Sequence, residues 1–402
     1  NGLSGAWNRN DFMKQRLIAF WNSPVIDALL PVLATLAALM VGALMLLALG
    51  ANPLVAYGAL LNGAFGSLNS IADTLVRATP LLFVGVGICI AFRGGVTNIG
   101  GEGQLVVGAL CATMVGLAFP DGPALVVVPL ALLAGFLGGA VWGGIPGLLK
   151  AHFNVNEILS TVMMNQIAVQ GMNFLLIGPL IDPVQLQRAS RIPQTARISA
   201  AFDLPRLAPT RLHLGTLIAI IMAVLVYILL WRTTLGYRIR AVGLNREAAR
   251  YAGINVPRHI ALSLALSGAM AGLAGAVQIF GVNFRMFTDG SATGFTGSAG
   301  FHGIVAALFG QLHPLGTIPA SFFFGGLLVG ANRLQRAVQV PAALIVTLNG
   351  LVVVFVVGTE LWRQQRARRR VVERSSDQDE TPMAGAPAPA SSPTAAGLEG
   401  EA

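Results

Sequence analysis

Charge is what this chain has least of. Only 11% of its 402 residues are Asp, Glu, Lys or Arg, while 54% are apolar and 48 are glycine. Soluble domains carry roughly a quarter charged residues, so a water-exposed globular fold does not fit and a membrane-embedded one does. Lysine is confined to Lys14 and Lys150, and neither follows a glycine. The phosphate cradle Gly-x-x-x-x-Gly-Lys-Ser/Thr is therefore missing, and with it ATP binding by that motif. The two cysteines, Cys89 and Cys111, lie inside apolar stretches and make neither a disulfide framework nor a metal site. There is no Gly-x-Ser-x-Gly elbow and no metal-ligand spacing, and the five histidines fall near the ends of predicted helices. The sequence offers no catalytic constellation, which argues against a membrane-embedded enzyme, and no cofactor is expected on this chain.

What is present is a succession of long apolar runs. They predict an all-α fold, a polytopic membrane helix bundle of about ten transmembrane helices with broken or re-entrant segments. The runs are 29–49, 75–92 (interrupted at Thr79-Pro80), 105–119, 124–148, 158–180, 212–231, 259–280, a half-length segment at 301–310, 317–330 and 342–358. Asn154 and Glu157 have capping-box spacing for the helix after Lys150. Residues 1–28 mix Trp7, Arg9, Lys14, Arg16 and Trp21 and read as an amphipathic segment on the cytoplasmic surface. Residues 29–360 form the transmembrane domain. Residues 361–402 are a basic run at the lipid headgroups, followed by a Pro-, Ala-, Ser- and Glu-rich tail expected to be disordered. Residues 181–212 make a long polar external loop with four prolines and five arginines. The net charge of +9 comes from arginines at the ends of apolar runs. That is the positive-inside pattern, with both termini cytoplasmic, and it does not imply a nucleic-acid partner.

Residues 232–258 are a polar, Arg-rich island between two apolar runs. Asn245 is placed to cap a short helix and Gly253 to end it in a left-handed conformation. Between them, Ala248, Ala249 and Ala252 offer a small-residue surface, and Arg246 and Arg250 stand one turn apart, able to meet carboxylates. A helix this short does not stay folded alone, so it docks on its own bundle or on another protein.

Two internal stretches are candidates for a substrate path. In Asn98-Ile-Gly-Gly-Glu102-Gly-Gln104, glycines flank a carboxylate at the mouth of an apolar helix. A helix broken there exposes backbone donors at depth, and Asn98, Glu102 and Gln104 become path residues. The alternative is a helix-start carboxylate held by the N-terminal dipole. The second stretch is the non-spanning 281–300, flanked by Gln278, Asn283, Phe301 and His302. Its alternative is ordinary loop chemistry.

The island reads G-Y-R-I-R-A-V-G-L-N-R-E-A-A-R-Y-A-G-I-N over 236–255. It resembles the cytoplasmic coupling loop of ABC importer permeases of the branched-chain amino acid and simple-sugar superfamily. The segments 79–104, 152–165, 267–276 and 301–316 resemble the nucleoside and simple-sugar branch of those permeases, and the likeness spans about residues 30–360. The chain departs from the usual pattern at Thr97, Gly101, Gln311 and Asn349. The resemblance implies a non-catalytic permease subunit of an ATP-driven importer in the bacterial plasma membrane. Its long 181–212 loop is similar to that of the larger permease of a pair. The implied partners are a homologous second permease, an ABC ATPase subunit that holds ATP and magnesium, and an external substrate-binding lipoprotein. Gly243, Asn245, Arg246, Glu247, Ala248, Ala249, Arg250 and Gly253 are then the segment seated in an ATPase cleft. The rival function is an ion-coupled secondary transporter that titrates Glu102.

Overall fold

The computed structural model describes residues 24–341, apart from 190 and 208, together with 347, 350–352, 354, 355, 358 and 359. The N-terminal segment up to residue 23, most of the predicted run 342–358 and the tail 361–402 lie outside the described residues. The chain opens with α1 (Pro24–Ala48), α2 (Pro53–Phe65), α3 (Leu68–Arg93), α4 (Gly101–Ala118), α5 (Ala124–Phe153) and α6 (Glu157–Ile177). The 181–212 segment holds only the single turn α7 (Pro183–Leu186) and a 3-10 turn at Ala200–Phe202. Then come α8 (Leu214–Arg232), α9 (Thr234–Leu244), α10 (Arg246–Tyr251), α11 (Val256–Gln278), α12 (Ala292–Thr296), α13 (Ala299–Phe309) and α14 (Pro314–Val338). Extended pairing among the described residues is limited to isolated bridges, Gln194 with Phe287 and Arg206 with His213.

The predicted helical membrane bundle is what the chain forms. Among the described residues, where the sequence predicts about ten crossings over the whole chain, six helices (α3, α4, α5, α8, α11 with its extension to Asn283, and α14) are long and apolar enough to cross a membrane; three shorter apolar helices accompany them, and α6, on the expected run 158–180, is not among the six. Several boundaries differ from the sequence expectation, each for a local reason. The break at Thr79-Pro80 does not occur, because α3 runs unbroken through Pro80. The Thr79 hydroxyl lies 2.8 Å from the Leu75 carbonyl and 2.8 Å from the Thr216 hydroxyl, the kind of side-chain pairing that lets an intramembrane helix carry a proline. The cap of α6 is Asn156, whose Oδ1 accepts from the Ile158 and Leu159 amides. Asn154 instead ends α5 in a left-handed conformation, with φ 49°. Glu157 pairs with Lys150 at 2.9 Å. The moderately apolar stretch after residue 52 is the helix α2, and α14 extends past the predicted end at residue 330 to Val338.

The centre of the bundle is a seam where α5, α4 and α11 approach through glycine. A Cβ on Gly272 would lie 2.2 Å from the Gly135 carbonyl oxygen, and one on Gly108 would lie 2.2 Å from the Gly272 Cα. A Cβ on Gly139 would lie 2.2 Å from the Gly268 carbonyl oxygen. Small residues let helices pack backbone to backbone where no water-driven apolar collapse is available. Each of these contacts is against main chain, which has no rotamer by which to give way.

The seam predicts an asymmetric response to enlarging glycine. Gly272→Val costs upwards of about 3 kcal/mol through forced helix separation and lowers the unfolding midpoint of the detergent-solubilised protein by several degrees or abolishes accumulation. Gly171→Val, where a Cβ meets nothing within 4 Å, leaves the midpoint within a degree or two. Equal midpoints for the two variants in a thermal scan would refute the packing argument.

Candidate functional site

After α3 the chain turns at Gly95, with φ +70°, and α4 starts at Gly101. The interruption leaves backbone groups unpaired inside the bundle, and a set of buried amides closes it. Asn98 Nδ2 donates to Gln104 Oε1 at 2.9 Å and to Ser267 Oγ at 2.8 Å. Asn98 Oδ1 accepts from the Gly100 amide at 2.8 Å and from Gln104 Nε2 at 3.1 Å. Asn165 of α6 accepts from the Gly103 amide at 2.8 Å and donates to the Ile99 carbonyl at 2.9 Å. Glu102, 1% exposed, reaches across to α13, where its Oε1 accepts from the amides of Gly300 at 2.9 Å and Phe301 at 3.3 Å. Those amides belong to the first turn of α13, which has no partner of its own for them, and the helix dipole favours a carboxylate there. Asn98, Glu102 and Gln104 thus hold helix ends together.

A cavity of about 880 Å³ lies between α3, α11, α14, the 206–213 stretch and the 281–297 segment, and Asp73, Arg77, Arg206, Arg211, Arg333 and Arg336 are among the residues that line it. Of the seven path residues read from the sequence, Gln278 and Asn283 line it. Phe301 and His302 sit on α13 outside its lining, Phe301 exposed and His302 half-buried. At the cavity α11 gives way to a π turn, Ile279–Asn283, in which the Phe284 amide bonds the Ile279 carbonyl at 2.8 Å. Phe284 itself takes φ 56°, a left-handed conformation that an aromatic residue rarely adopts. Such departures concentrate where side chains must be aimed. Gln278 Nε2 donates to the Phe295 carbonyl at 2.7 Å, and its Oε1 is buried without a partner. The amide nitrogen of Asn283 is likewise buried and unpartnered.

Sequence reasoning passed over His213, which joins these two. It is 1% exposed, lines the cavity and has an unpartnered Nε2. Its Nδ1 accepts from the Gly215 amide at 3.1 Å, which places the neutral ring's proton on Nε2. Burial pulls its pKa down to about 4. A histidine at a helix start looked unremarkable in sequence, and Gly215 two residues on is its one local clue. The 181–212 segment is also more than a polar loop. It packs against the far edge of the cavity through bonds from Thr195 to Met286, Ile198 to Phe284 and Leu204 to Phe280, with Ile198, Phe202 and Leu204 buried.

The 232–258 island folds as α9 followed by α10. Asn245 Oδ1 accepts from the amides of Glu247 at 3.0 Å and Ala248 at 3.1 Å, and Gly253 takes φ +77°. Its faces differ from the sequence expectation. Ala249 is buried in a cluster with Ala91, Val96, Val242, Val256 and Ile260, so it belongs to the bundle side. Arg246 donates from Nη2 to the Gly95 carbonyl at 2.9 Å, which ties one end of its guanidinium to the bundle. Gly243 packs on the α3 terminus, where a Cβ would lie 2.1 Å from the Arg93 carbonyl oxygen. Ala248, Glu247 and Arg250 face outward, the last two joined at 3.4 Å. The outward face is dominated by two residues absent from the predicted set, Leu244 at 88% and Tyr251 at 91% exposure.

Residues 70–357 match the family of branched-chain amino acid transport system permease components. The chain belongs to that family. It is 38% identical over 328 residues to the guanosine ABC transporter permease protein NupP of Bacillus subtilis, covering 82% of this chain and 92% of the relative. It is 35% identical over 358 residues to the glucose ABC transporter permease protein TsgB13 of Haloferax volcanii, covering 86% and 91%. The nucleoside ABC transporter permease protein NupB of Lactococcus lactis is 33% identical over 344 residues, covering 83% and 92%. No solved structure matches the chain.

Two predictions follow from the buried polar groups. Glu102→Ala leaves the Gly300 and Phe301 amides without an acceptor, at roughly 1–3 kcal/mol each, and lowers the unfolding midpoint. Glu102→Gln keeps an acceptor oxygen and recovers most of the loss. Equal losses in the two variants would remove the bracing role. For His213, the unfolded ring titrates near 6.5 and the folded ring near 4, so the unfolded chain binds more protons between those values. This group therefore erodes stability as pH falls from about 6.5 towards 4, by up to roughly 3 kcal/mol. His213→Gln should flatten the decline of the thermal midpoint between pH 7 and pH 5, and an unchanged slope would contradict the buried neutral ring.

Proposed function

We propose that the chain is one permease subunit of an ATP-driven importer in a bacterial plasma membrane, passing nucleosides or simple sugars inward by alternating access. The observation that carries this is a polar cavity inside a membrane bundle combined with a capped surface helix that leaves Tyr251 and the preceding Leu244 almost fully exposed beside Glu247 and Arg250. The corner from α9 to the six-residue α10 does not hold Leu244 and Tyr251 in water for its own stability. A cleft in an ATPase subunit is the fitting cover, and ATP and magnesium reside there. The names of the relatives, covering guanosine, nucleosides and glucose, support the cargo class. A second permease completes the path. Bacillus subtilis also has the guanosine ABC transporter permease protein NupQ, 29% identical to this chain over 258 residues, which supports a pair of related permeases. An external lipid-anchored binding protein delivers the cargo, and both termini of the chain lie in the cytoplasm.

A contiguous set of contacts leads from the surface helix towards the cavity. Arg246 and Gly243 seat α9 and α10 on the Arg93–Gly95 turn. That turn leads into the Asn98 network, Glu102 ties it to α13, and Gln278 bonds the Phe295 carbonyl ahead of α13. Movement of α10 with the ATPase pair is thereby passed to elements around the cargo. The ion-coupled alternative rests on Glu102, which lies off this cavity and holds a helix start; the carboxylate in the cavity lining is that of Asp73.

The test is uptake of labelled nucleoside into vesicles holding the chain with its co-purified partners and binding protein, ATP inside and all ion gradients collapsed. Accumulation that stops without ATP is the expected result. Tyr251→Asp and Leu244→Asp should release the ATPase on co-purification and cut uptake at least tenfold. Uptake driven by a proton or sodium gradient in the absence of ATP would overturn the assignment.

A further inference from the structure

The 21 residues of α6 extend about 31 Å at 1.5 Å per residue, enough to span a bilayer core. The helix packs on α4 and α5, two of those apolar enough to cross. Gly103 of α4 donates its amide to Asn165, and the Trp142 indole of α5 donates to the Met164 carbonyl at 3.3 Å. Its one charged residue is Glu157 at the first position, paired with Lys150. Four amide side chains then interrupt the apolar sequence: Asn165, Gln166, Gln170 and Asn173.

Two of the four are used inside the chain. Asn165 donates to the Ile99 carbonyl, and Asn173 accepts from the Thr288 hydroxyl at 2.6 Å. The other two are not. Gln166 and Gln170 are exposed near the middle of the helix, in a row with Met163, Ile167, Gly171 and Phe174. Gln166 has no hydrogen-bond partner among the described residues, and Gln170 accepts a single long bond, 3.4 Å from Asn173. Neighbouring helices expose rows of another kind, Leu133, Leu137 and Val141 on α5 and Ile221, Leu225 and Ile228 on α8. Those rows suit acyl chains. A primary amide at mid-bilayer finds no partner in lipid, so the α6 row calls for protein. Gly171 points the same way, because a Cβ there meets nothing within 4 Å and a facing backbone can come close.

The depth of the row narrows what covers it. An ATPase subunit and an external binding protein both stop at the membrane surface, whereas a second membrane bundle does not. A Gln amide donates and accepts at once, so two such rows satisfy each other. Related chains that pair about a two-fold axis set the same face of each against the other. The row also runs towards the cavity, since Asn173 is bonded to Thr288 and Gly290 of the 281–297 segment.

We infer that the exposed row of α6 is the seat of the second permease, whose facing helix bonds Gln166 and Gln170 inside the membrane and packs on Gly171. The inference rests on the importer reading above and adds to it the face by which the two permeases join.

The experiment puts a photoactivatable benzophenone amino acid in place of Gln166 or, as a control, of Val141, in membranes holding the complete transporter. Irradiation is expected to join the chain to the related permease, identified by mass spectrometry, at least ten times more at 166 than at 141. Gln166→Leu and Gly171→Val should each lower recovery of that permease with the affinity-purified chain about tenfold. The thermal midpoint of the isolated chain should stay within a degree or two, which separates pairing from folding. Cross-linking at 166 to lipid, to the ATPase, to the binding protein or to a second copy of this chain would overturn the inference. So would full recovery of the related permease with both variants. ATP-driven uptake by a complex that gives no cross-link at 166 would overturn this seat and leave the importer reading standing. Uptake driven by an ion gradient without ATP would overturn the importer reading, and the inference with it.

Discussion

A peptide N–H buried in an apolar bundle must find an acceptor, and in this chain that constraint falls on two interrupted helices at once. The start of α4 and the start of α13 lie side by side, and Glu102 of the first supplies the acceptor for the amides of Gly300 and Phe301 in the second. The Asn98 and Asn165 amides close the remaining groups of the interruption. With those ends tied, α13 can stop short of a full crossing, and the segment before it is free to fold over the cavity. The position of Phe295, and through it the orientation of the Gln278 amide, depends on where α13 begins. The polar network is therefore the frame of the site and not the site itself.

This division explains which parts of the molecule can be read in the sequence. The apolar runs are legible because a bilayer imposes length and composition directly, and they correspond to the helices among the described residues. The interruption near Glu102 is legible from the glycines around it. Its purpose is not, since the amides it serves are 198 residues away in the chain. His213 is invisible for a similar reason, because the glycine against its ring face, Gly281, comes from another element. On α10 the cap at Asn245 and the left-handed Gly253 follow from residue type alone. Which side of the helix meets the bundle does not, and Ala249 and Arg246 turn inward while Tyr251 and Leu244 turn out. Pro80 misleads in the opposite direction, because hydroxyls at Thr79 and Thr216 keep the surrounding helices polar-satisfied where the sequence alone signals a stop.

Two kinds of packing divide the labour. The glycine seam of α4, α5 and α11 brings backbones into contact and leaves little play, which makes that group a rigid unit. α13 and α10 add side-chain hydrogen bonds to their packing, through Glu102 and Arg246, and such directed contacts have discrete alternatives. A permease that changes which side its cavity faces needs both: a core that keeps its shape and peripheral elements whose bonds can be exchanged. The exposed Tyr251 of α10 lies at the end of that second set.

The most direct measurement is the structure of the assembled transporter trapped with cargo, its ATPase subunits in place. Cargo density in the cavity between α3, α11 and α14, together with an ATPase cleft closed over Tyr251 and Leu244, is the predicted result. Cargo held elsewhere with that cavity unoccupied, or an ATPase seated away from α10 with Tyr251 still bare, would contradict it.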